Sequence, residues 1–213
     1  MKNNIVITIG RQYGSGGRTV GEMLAKELGI NYYDRHLLRL ASDDSGINED
    51  LFVKADESLK KTSLFRIAKK VYNGELIPPD KAGFTSNRNL FNYQAKIIKE
   101  LAESESCVIV GRCADYVLKN YENVVRVFVY APRWFLLQEA GKVQSLTGQE
   151  LEHYIDKTDK ERADYYNYYT DQIWTDARNY DLCLDSSKLG FEKCVEAIKA
   201  YIRVRFGEDV FGE

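Results

Sequence analysis

The sequence predicts an α/β fold in which a parallel β-sheet is covered by helices on both faces. Several short runs, such as residues 4–10, are apolar and β-branched without alternation, which is typical of strands buried on both sides. Segments with helical periodicity separate these runs, and a β-α-β order favours right-handed crossovers. The chain has 213 residues, of which 44% are hydrophobic and 29% charged, so we expect one globular domain spanning residues 1–213.

The elements follow in order along the chain. Strands are predicted over residues 4–10, 30–33, 107–110, 124–130 and 180–184. After the first strand comes a glycine-rich turn, and then a helix whose apolar residues, Val20 and Leu24 among them, share one face until Gly29 ends it. Apolar residues recur at helical spacing over residues 91–102 and 191–202. Ligands of such folds bind at the carboxyl ends of the strands, where we expect the site.

Two stretches exceed a minimal fold of this class. Residues 41–88 contain helical pieces followed by a turn-rich segment, and we interpret them as a mobile insertion. Residues 133–175 form a second stretch, which is long and polar. Within it, Thr147 and Glu150 form a capping box that predicts the start of a helix.

Charge and composition exclude several functions. The net charge is −2, from 30 basic and 32 acidic residues, so no positive field attracts a polynucleotide or an anionic membrane. No run approaches the roughly 18 apolar residues of a membrane helix, and the first residues lack the features of a signal peptide. Four cysteines and two histidines are scattered without metal-ligand spacing. We expect a cytoplasmic protein without polynucleotide or membrane partners, and its oligomeric state stays open.

The strongest functional signal is the turn between the first strand and the first helix. It contains Gly14, Ser15, Gly16, Gly17, Arg18 and Thr19. Glycines allow backbone N–H groups to turn towards an anion, and the helix N-terminus adds unpaired donors and the positive end of its dipole. This pattern predicts a phosphate-binding loop, the alternative being a turn that only joins strand to helix.

The loop departs from the usual pattern GxxxxGK[ST]. One alignment places Arg18 at the lysine and Thr19 at the metal-binding hydroxyl, whereas the other places Gly17 at the lysine with Thr19 soon after. Both keep Thr19 near a magnesium ion. Because neither supplies the lysine, Arg11 or Arg18 must provide the positive charge, and a guanidinium differs from an ammonium group in shape and hydrogen bonding.

Several motifs together resemble the cytidylate kinase-like family, in the superfamily of P-loop nucleoside-monophosphate kinases. The motifs are residues 11–18, Tyr32-Tyr33-Asp34, Val108-Ile109-Val110-Gly111-Arg112, residues 156–166, Trp174 and residues 179–184. The resemblance covers nearly the whole chain. It implies a P-loop kinase fold with a five-stranded parallel sheet, in which residues 41–88 are a helical acceptor-binding insertion and residues 133–175 are a lid. It also implies magnesium-dependent transfer of the γ-phosphoryl group of ATP to a nucleotide-like acceptor, for which CMP or dCMP is the first choice.

The resemblance also assigns acceptor residues. Arg112 matches the arginine of a Gly-Arg-Asp motif that binds the acceptor, although Cys113 replaces the aspartate here. We place Asp115 in the same acceptor site. Asp34 ends a short strand, where it either orients the acceptor or magnesium-bound water, or caps the helix that follows.

Lys157 and Arg162 are the candidate cations of the lid, positioned to reach the transferred phosphoryl group on closure. A solvated, charged helix face explains them as well. The catalytic candidates are therefore Arg18, Asp34, Arg112, Lys157 and Arg162. Two other functions stay open: a nucleotide-sensing protein with low turnover, and a kinase of a non-nucleotide alcohol.

Overall fold

A computed structural model describes residues 4–61 and 72–211, and it confirms the five-stranded parallel sheet. The strands are β1 (Val6–Arg11), β2 (Asn31–Tyr33), β3 (Cys107–Val110), β4 (Val124–Tyr130) and β5 (Leu182–Asp185). Their order across the sheet is β2-β3-β1-β4-β5, and every neighbouring pair is parallel. The central strand β1 therefore ends between β3 and β4, and the residues that follow these three strands lie at one edge.

Helices connect the strands in the expected order. They are α1 (Gly17–Leu28), α2 (His36–Ser45), α3 (Glu49–Lys61), α4 (Asn87–Ser104), α5 (Ala114–Val117), α6 (Arg133–Val143), α7 (Gly148–Thr170) and α8 (Ser186–Phe206), with short 3-10 turns at Ala177–Asn179 and Glu208–Phe211. As predicted, Gly29 ends α1 in a left-handed conformation, and its N–H bonds to carbonyls of the last turn.

Each face of the sheet has its own apolar layer. Alternate residues of β1, including Ile7 and Ile9, pack with α1 and α8 on one face. Val6, Cys107 and Phe128 pack on the other face with α2, α4, α5 and the C-terminal part of α7. Burial on both faces explains why the strands read as apolar runs without alternation.

The turn-rich segment of the insertion is hydrogen-bonded to α4, and its predicted mobility stays a prediction. Asn89, fully buried on α4, exchanges hydrogen bonds with the backbone N–H and carbonyl of Ile77 and donates to the carbonyl of Phe84. Asn92, one turn further, donates to the carbonyl of Glu75. Buried amides of this kind hold irregular backbone that lacks partners of its own. Residues 62–71 of the insertion lie outside the described part of the chain.

The predicted lid is a helical hairpin, α6–α7, with a small apolar cluster of its own. Leu136, Ala140, Leu151 and Ile155 form this cluster. Helix α7 begins at Gly148 after Thr147, as the capping box predicts, but the Thr147 side chain makes no capping hydrogen bond. Within the described residues, no helix is long and apolar enough to cross a membrane.

Candidate active site at the carboxyl edge of the sheet

The glycine loop runs from Gln12 to Gly16, between the end of β1 and the start of α1. Ser15 is buried and bonds to the Gln12 carbonyl through both its N–H, at 3.3 Å, and its Oγ, at 2.9 Å. Gly14 and Gly16 have φ angles of 82° and 75°, which residues with a side chain rarely adopt. The sequence thus folds into a tight turn that leads directly into the N-terminus of α1.

Close neighbours also require glycine in the loop. A Cβ on Gly14 would lie 2.4 Å from the carbonyl oxygen of Leu136 in α6, and one on Gly16 would lie 2.1 Å from the ring of Phe191. A Cβ on Gly17 would lie 2.5 Å from the Cβ of Arg11. Gly17 takes the lysine position in one of the two alignments, and the space in front of it contains the side chain of Arg11.

The guanidinium group of Arg11 crosses from β1 to the end of β3. Its Nη1 atom lies so close to Gly111 that a Cβ there would be 2.3 Å away. Its Nη2 atom is 4.0 Å from Oδ1 of Asp34, which follows β2. From the hairpin, Nη1 of Arg162 donates to the carbonyl oxygen of Arg11 at 3.1 Å. Residues from four separate segments therefore meet beside the glycine loop.

The surroundings of Arg11 and Arg162 disfavour their positive charges. Burial and the charge of Arg162 lower the pKa of Arg11 to about 9, with Arg112 acting in the same direction and Asp34 opposing it. Burial also lowers the pKa of Arg162. Since arginine remains protonated in proteins, the lowered pKa values mean that burial, and for Arg11 also the charges of Arg162 and Arg112, disfavour the charged side chains here. An anion bound among them would relieve this repulsion.

Arg112 lies on a strained turn directly after β3. Gly111, Arg112 and Cys113 have φ angles of 77°, 59° and 53°, so three consecutive residues are left-handed. A left-handed conformation costs a residue with a side chain about 1–2 kcal/mol. Strain of this kind is concentrated at functional sites, where it fixes the direction of a side chain.

Asp34 faces cations rather than capping α2. Its Oδ2 atom is 3.5 Å from Nε of Arg18, in addition to the contact with Arg11, and the N-cap of α2 is Arg35. Arg18 also donates to Glu22 at 3.1 Å, and its side chain is 64% exposed. Arg18 thus lies on the outer side of α1, whereas Arg11 is enclosed. Thr19 is exposed on the first turn of α1.

Asp159 belongs to the site although the sequence reasoning gave it no role. Its Oδ1 atom accepts a hydrogen bond from the N–H of Tyr13 at 2.7 Å and another from Arg162 at 3.2 Å. Burial raises the pKa of Asp159, and the charge of Arg162 opposes the shift. The available signal was the spacing of three residues between Asp159 and Arg162, which places them on adjacent turns of one helix.

Two other predicted residues contact groups outside the glycine loop. Asp115 is buried on α5 and accepts a 2.6 Å hydrogen bond from the Tyr166 hydroxyl, and burial raises its pKa to about 6. Lys157 is exposed and lines a surface groove of about 480 Å³ with His153 and Tyr154 of the same helix. The acceptor role of Asp115 and the lid role of Lys157 stay predictions.

The sheet order, together with a glycine loop between its central strand and the helix that follows, defines a P-loop kinase fold. A crystal structure of shikimate kinase from Bacteroides thetaiotaomicron shares this fold, with a TM-score of 0.54 and 14% identity over 93% of this chain and 98% of that one. The sequence model of the cytidylate kinase-like family matches residues 6–188, and the chain belongs to that family.

A second structure is more similar. An uncharacterized protein from Eubacterium ventriosum ATCC 27560 superimposes with a TM-score of 0.69 and 25% identity, over 95% of this chain and all of that one. No curated protein matches the sequence.

Proposed function

We propose that this protein is a cytoplasmic, magnesium-dependent phosphotransferase that moves the γ-phosphoryl group of ATP to a nucleoside-monophosphate-like acceptor. CMP and dCMP are the first acceptors to test. The observation that carries the proposal is the convergence of Arg11, Arg112 and Arg162 beside the glycine loop, where the charges of Arg162 and Arg112 help to lower the pKa of Arg11. Phosphoryl transfer needs mainly positioning and neutralisation of charge, which such a cluster supplies.

In the donor half, the glycine loop and the N-terminus of α1 bind the phosphates of ATP. We assign the missing lysine charge to Arg11, because its side chain fills the space in front of Gly17 and its guanidinium is enclosed. Arg18 is already satisfied by Glu22 and Asp34 and is largely exposed. Arg18 therefore takes the lesser role of orienting Asp34.

In the acceptor half, Arg112 binds the anionic group of the acceptor and Arg162 neutralises the transferred group. An acceptor oxygen forms a bond to the γ-phosphorus while the bond to the β–γ bridging oxygen breaks, and ADP leaves. A phosphate acceptor is already deprotonated near neutral pH and needs no base. For a hydroxyl acceptor, the proton would pass to Asp34.

The residues present fit a magnesium ion held mainly by phosphates. Thr19 offers a hydroxyl on the first exposed turn of α1, where the P-loop pattern places a metal ligand. The described residues contain no cluster of three acidic, histidine or cysteine side chains, so the phosphates and water would complete the coordination. When bound, the ion neutralises charge on the β- and γ-phosphates.

An acceptor screen tests the proposal. The purified protein with magnesium and ATP is offered CMP, dCMP, the other nucleoside monophosphates and a panel of small hydroxy acids, and phosphorylated product is measured. We expect transfer to a nucleoside monophosphate. Transfer to a hydroxy acid alone would refute the acceptor class, and ATP binding with no transfer to any acceptor would refute the enzyme in favour of a sensing protein.

Two variants link any transfer to the arginine cluster. Replacing both Arg11 and Arg162 by alanine should reduce transfer at least ~1,000-fold, because preorganised charge supplies most of the catalysis in such sites. Arg203→Ala is the control, since this exposed arginine lies in the last turn of α8. The same turn contains Arg205, which donates to the first residue of β4, so the turn lies at the amino end of the sheet and opposite the site. Equal activity in the double variant and the control would contradict the assigned site.

A further inference from the structure

Tyr13, the residue before the first loop glycine, contacts four side chains of the α6–α7 hairpin. One of them belongs to the residue that follows α6, and the other three belong to α7. Gln144 donates its amide to the hydroxyl group, and the ring of Tyr154 meets the Tyr13 ring edge-on at 5.2 Å. The guanidinium of Arg162 lies over the same ring at 5.6 Å, and Asp159 accepts the backbone N–H. The hairpin thus holds both the backbone and the side chain of Tyr13.

The polar contacts form a closed circuit. Oδ1 of Asp159 binds the Tyr13 N–H and the Arg162 guanidinium at once, and the same Nη1 atom of Arg162 reaches the carbonyl of Arg11. Hydrogen bonds to charged groups are the stronger kind, and these are largely shielded from water. A small movement of the loop backbone would therefore displace the Arg162 side chain through these hydrogen bonds.

This circuit differs from ordinary packing because it includes the backbone of the phosphate-binding loop. Backbone N–H groups of a phosphate-binding loop are normally donors to the ligand. Here one of them, from Tyr13, is donated to the helix that carries the proposed transfer cation. The loop that binds the donor and the helix that contacts the transferred group share one set of hydrogen bonds, which is a physical route for coupling between them.

We infer that Tyr13 is a positioning residue that couples the glycine loop to the hairpin, so that triphosphate binding at the loop fixes Arg162 in place for transfer. The inference rests on the proposed function, because it assigns regulation to the same site. Tyr13 is not catalytic in this role, since it acts through Arg162.

Hydrogen exchange with and without magnesium-ATP tests the coupling. In the parent protein, magnesium-ATP should slow amide exchange in the loop, residues 14–20, and also in α7, residues 151–163, each at least ~10-fold. Tyr13→Ala removes the ring and hydroxyl contacts but keeps the backbone N–H bond to Asp159, so it is combined with Asp159→Ala, which removes the acceptor of that bond. In this double variant the loop should still be slowed, while the slowing in α7 disappears. With an accepted substrate, kcat should fall at least ~10-fold with little change in the KM for ATP.

Two further variants guard against a general loss of structure. Tyr13→Phe removes only the hydroxyl bond to Gln144 and should give a partial loss of the α7 response. Tyr121→Phe is the matched control, since its hydroxyl bonds to Glu103 at the end of α4, and it should behave as the parent. If the double variant fails to fold, Tyr13→Phe and Gln144→Ala carry the test.

The outcomes are distinct. A persistent α7 response in the double variant Tyr13→Ala/Asp159→Ala, or a parent protein that protects the loop without α7, would overturn the coupling and leave the proposed function standing. If magnesium-ATP protects neither segment of the parent protein, the proposed function fails and the coupling fails with it.

Discussion

Two partly buried arginines on neighbouring strands have opposite electrostatic surroundings. Arg126, in the middle of β4, donates to both oxygens of Asp181, at 2.9 Å and 3.3 Å, and these bonds raise its pKa. Arg11, at the end of β1, has its closest carboxylate, Asp34, at 4.0 Å, and burial with Arg162 lowers its pKa to about 9. Arg126 is chelated by Asp181, whereas Arg11 shares the more distant Asp34 with Arg18, and the charges of Arg162 and Arg112 lower the pKa of Arg11.

The largest expected effect comes from making the same substitution in both regions. Arg112→Lys keeps the charge but loses the planar fork, so transfer should fall about 100-fold with ATP affinity almost unchanged. Arg126→Lys should leave transfer within about 2-fold and lower the free energy of unfolding by about 1 kcal/mol, because lysine cannot bind both oxygens of Asp181. Steady-state kinetics, calorimetry and urea denaturation measure these quantities. Equal losses of transfer would remove the distinction between the two regions.

A second contrast concerns glycines with the same backbone conformation. Gly16 and Gly29 have φ angles of 75° and 63°, but a Cβ would clash with Phe191 at Gly16 and would meet nothing within 4 Å at Gly29. We expect Gly29→Ala to cost about 1 kcal/mol of stability and Gly16→Ala about 2–3 kcal/mol, with loss of ATP binding only in the latter. Denaturation and calorimetry on both variants test this. Intact ATP binding in a folded Gly16→Ala protein would show that the loop does not need its observed shape.

Asp115, outside both of these contrasts, should make stability depend on pH without a direct effect on the arginine cluster. Its folded pKa is raised to about 6, above the unfolded value of about 3.9, so the folded state binds more protons between these values. This residue's contribution to stability is greatest at low pH and is lost as the pH rises through about 6. Asp115→Asn removes the cost of the buried charge while leaving an acceptor for Tyr166. Its stability relative to the parent should therefore rise by about 2 kcal/mol between pH 4 and 7.

Urea denaturation across this pH range measures the difference between the two proteins. A difference that stays constant with pH would mean that the Asp115 carboxylate ionises normally in the folded protein.

The sequence predicts the sheet well because burial on both faces leaves a strong pattern. All five strands occur near their predicted positions, with β5 starting at Leu182 rather than at residue 180. The hydrogen bonds that join the turn-rich segment of the insertion to Asn89 and Asn92 on α4 were not predicted, because buried amides contacting distant backbone leave no local periodicity. Contacts between distant residues are what local patterns omit.

The sequence predicts only part of the proposed site, again because several of its contacts join residues that are distant in the chain. The glycine loop is contiguous, so its residues could be identified together, and Arg112 and Arg162 came from motifs. The choice between Arg11 and Arg18 was beyond the sequence, because it depends on Arg11 passing in front of Gly17 to reach Gly111. Asp159 was missed because its partner is a backbone N–H far away in the chain.

The central claim is that Arg11 replaces the loop lysine, and titration of magnesium-ATP into Arg11→Ala and Arg18→Ala tests it most directly. Arg11→Ala should weaken binding by about 2–3 kcal/mol, the loss of a buried charge-assisted contact, whereas Arg18→Ala should stay within about 0.5 kcal/mol of the parent. Strong weakening in Arg18→Ala with unchanged affinity in Arg11→Ala would contradict the assignment.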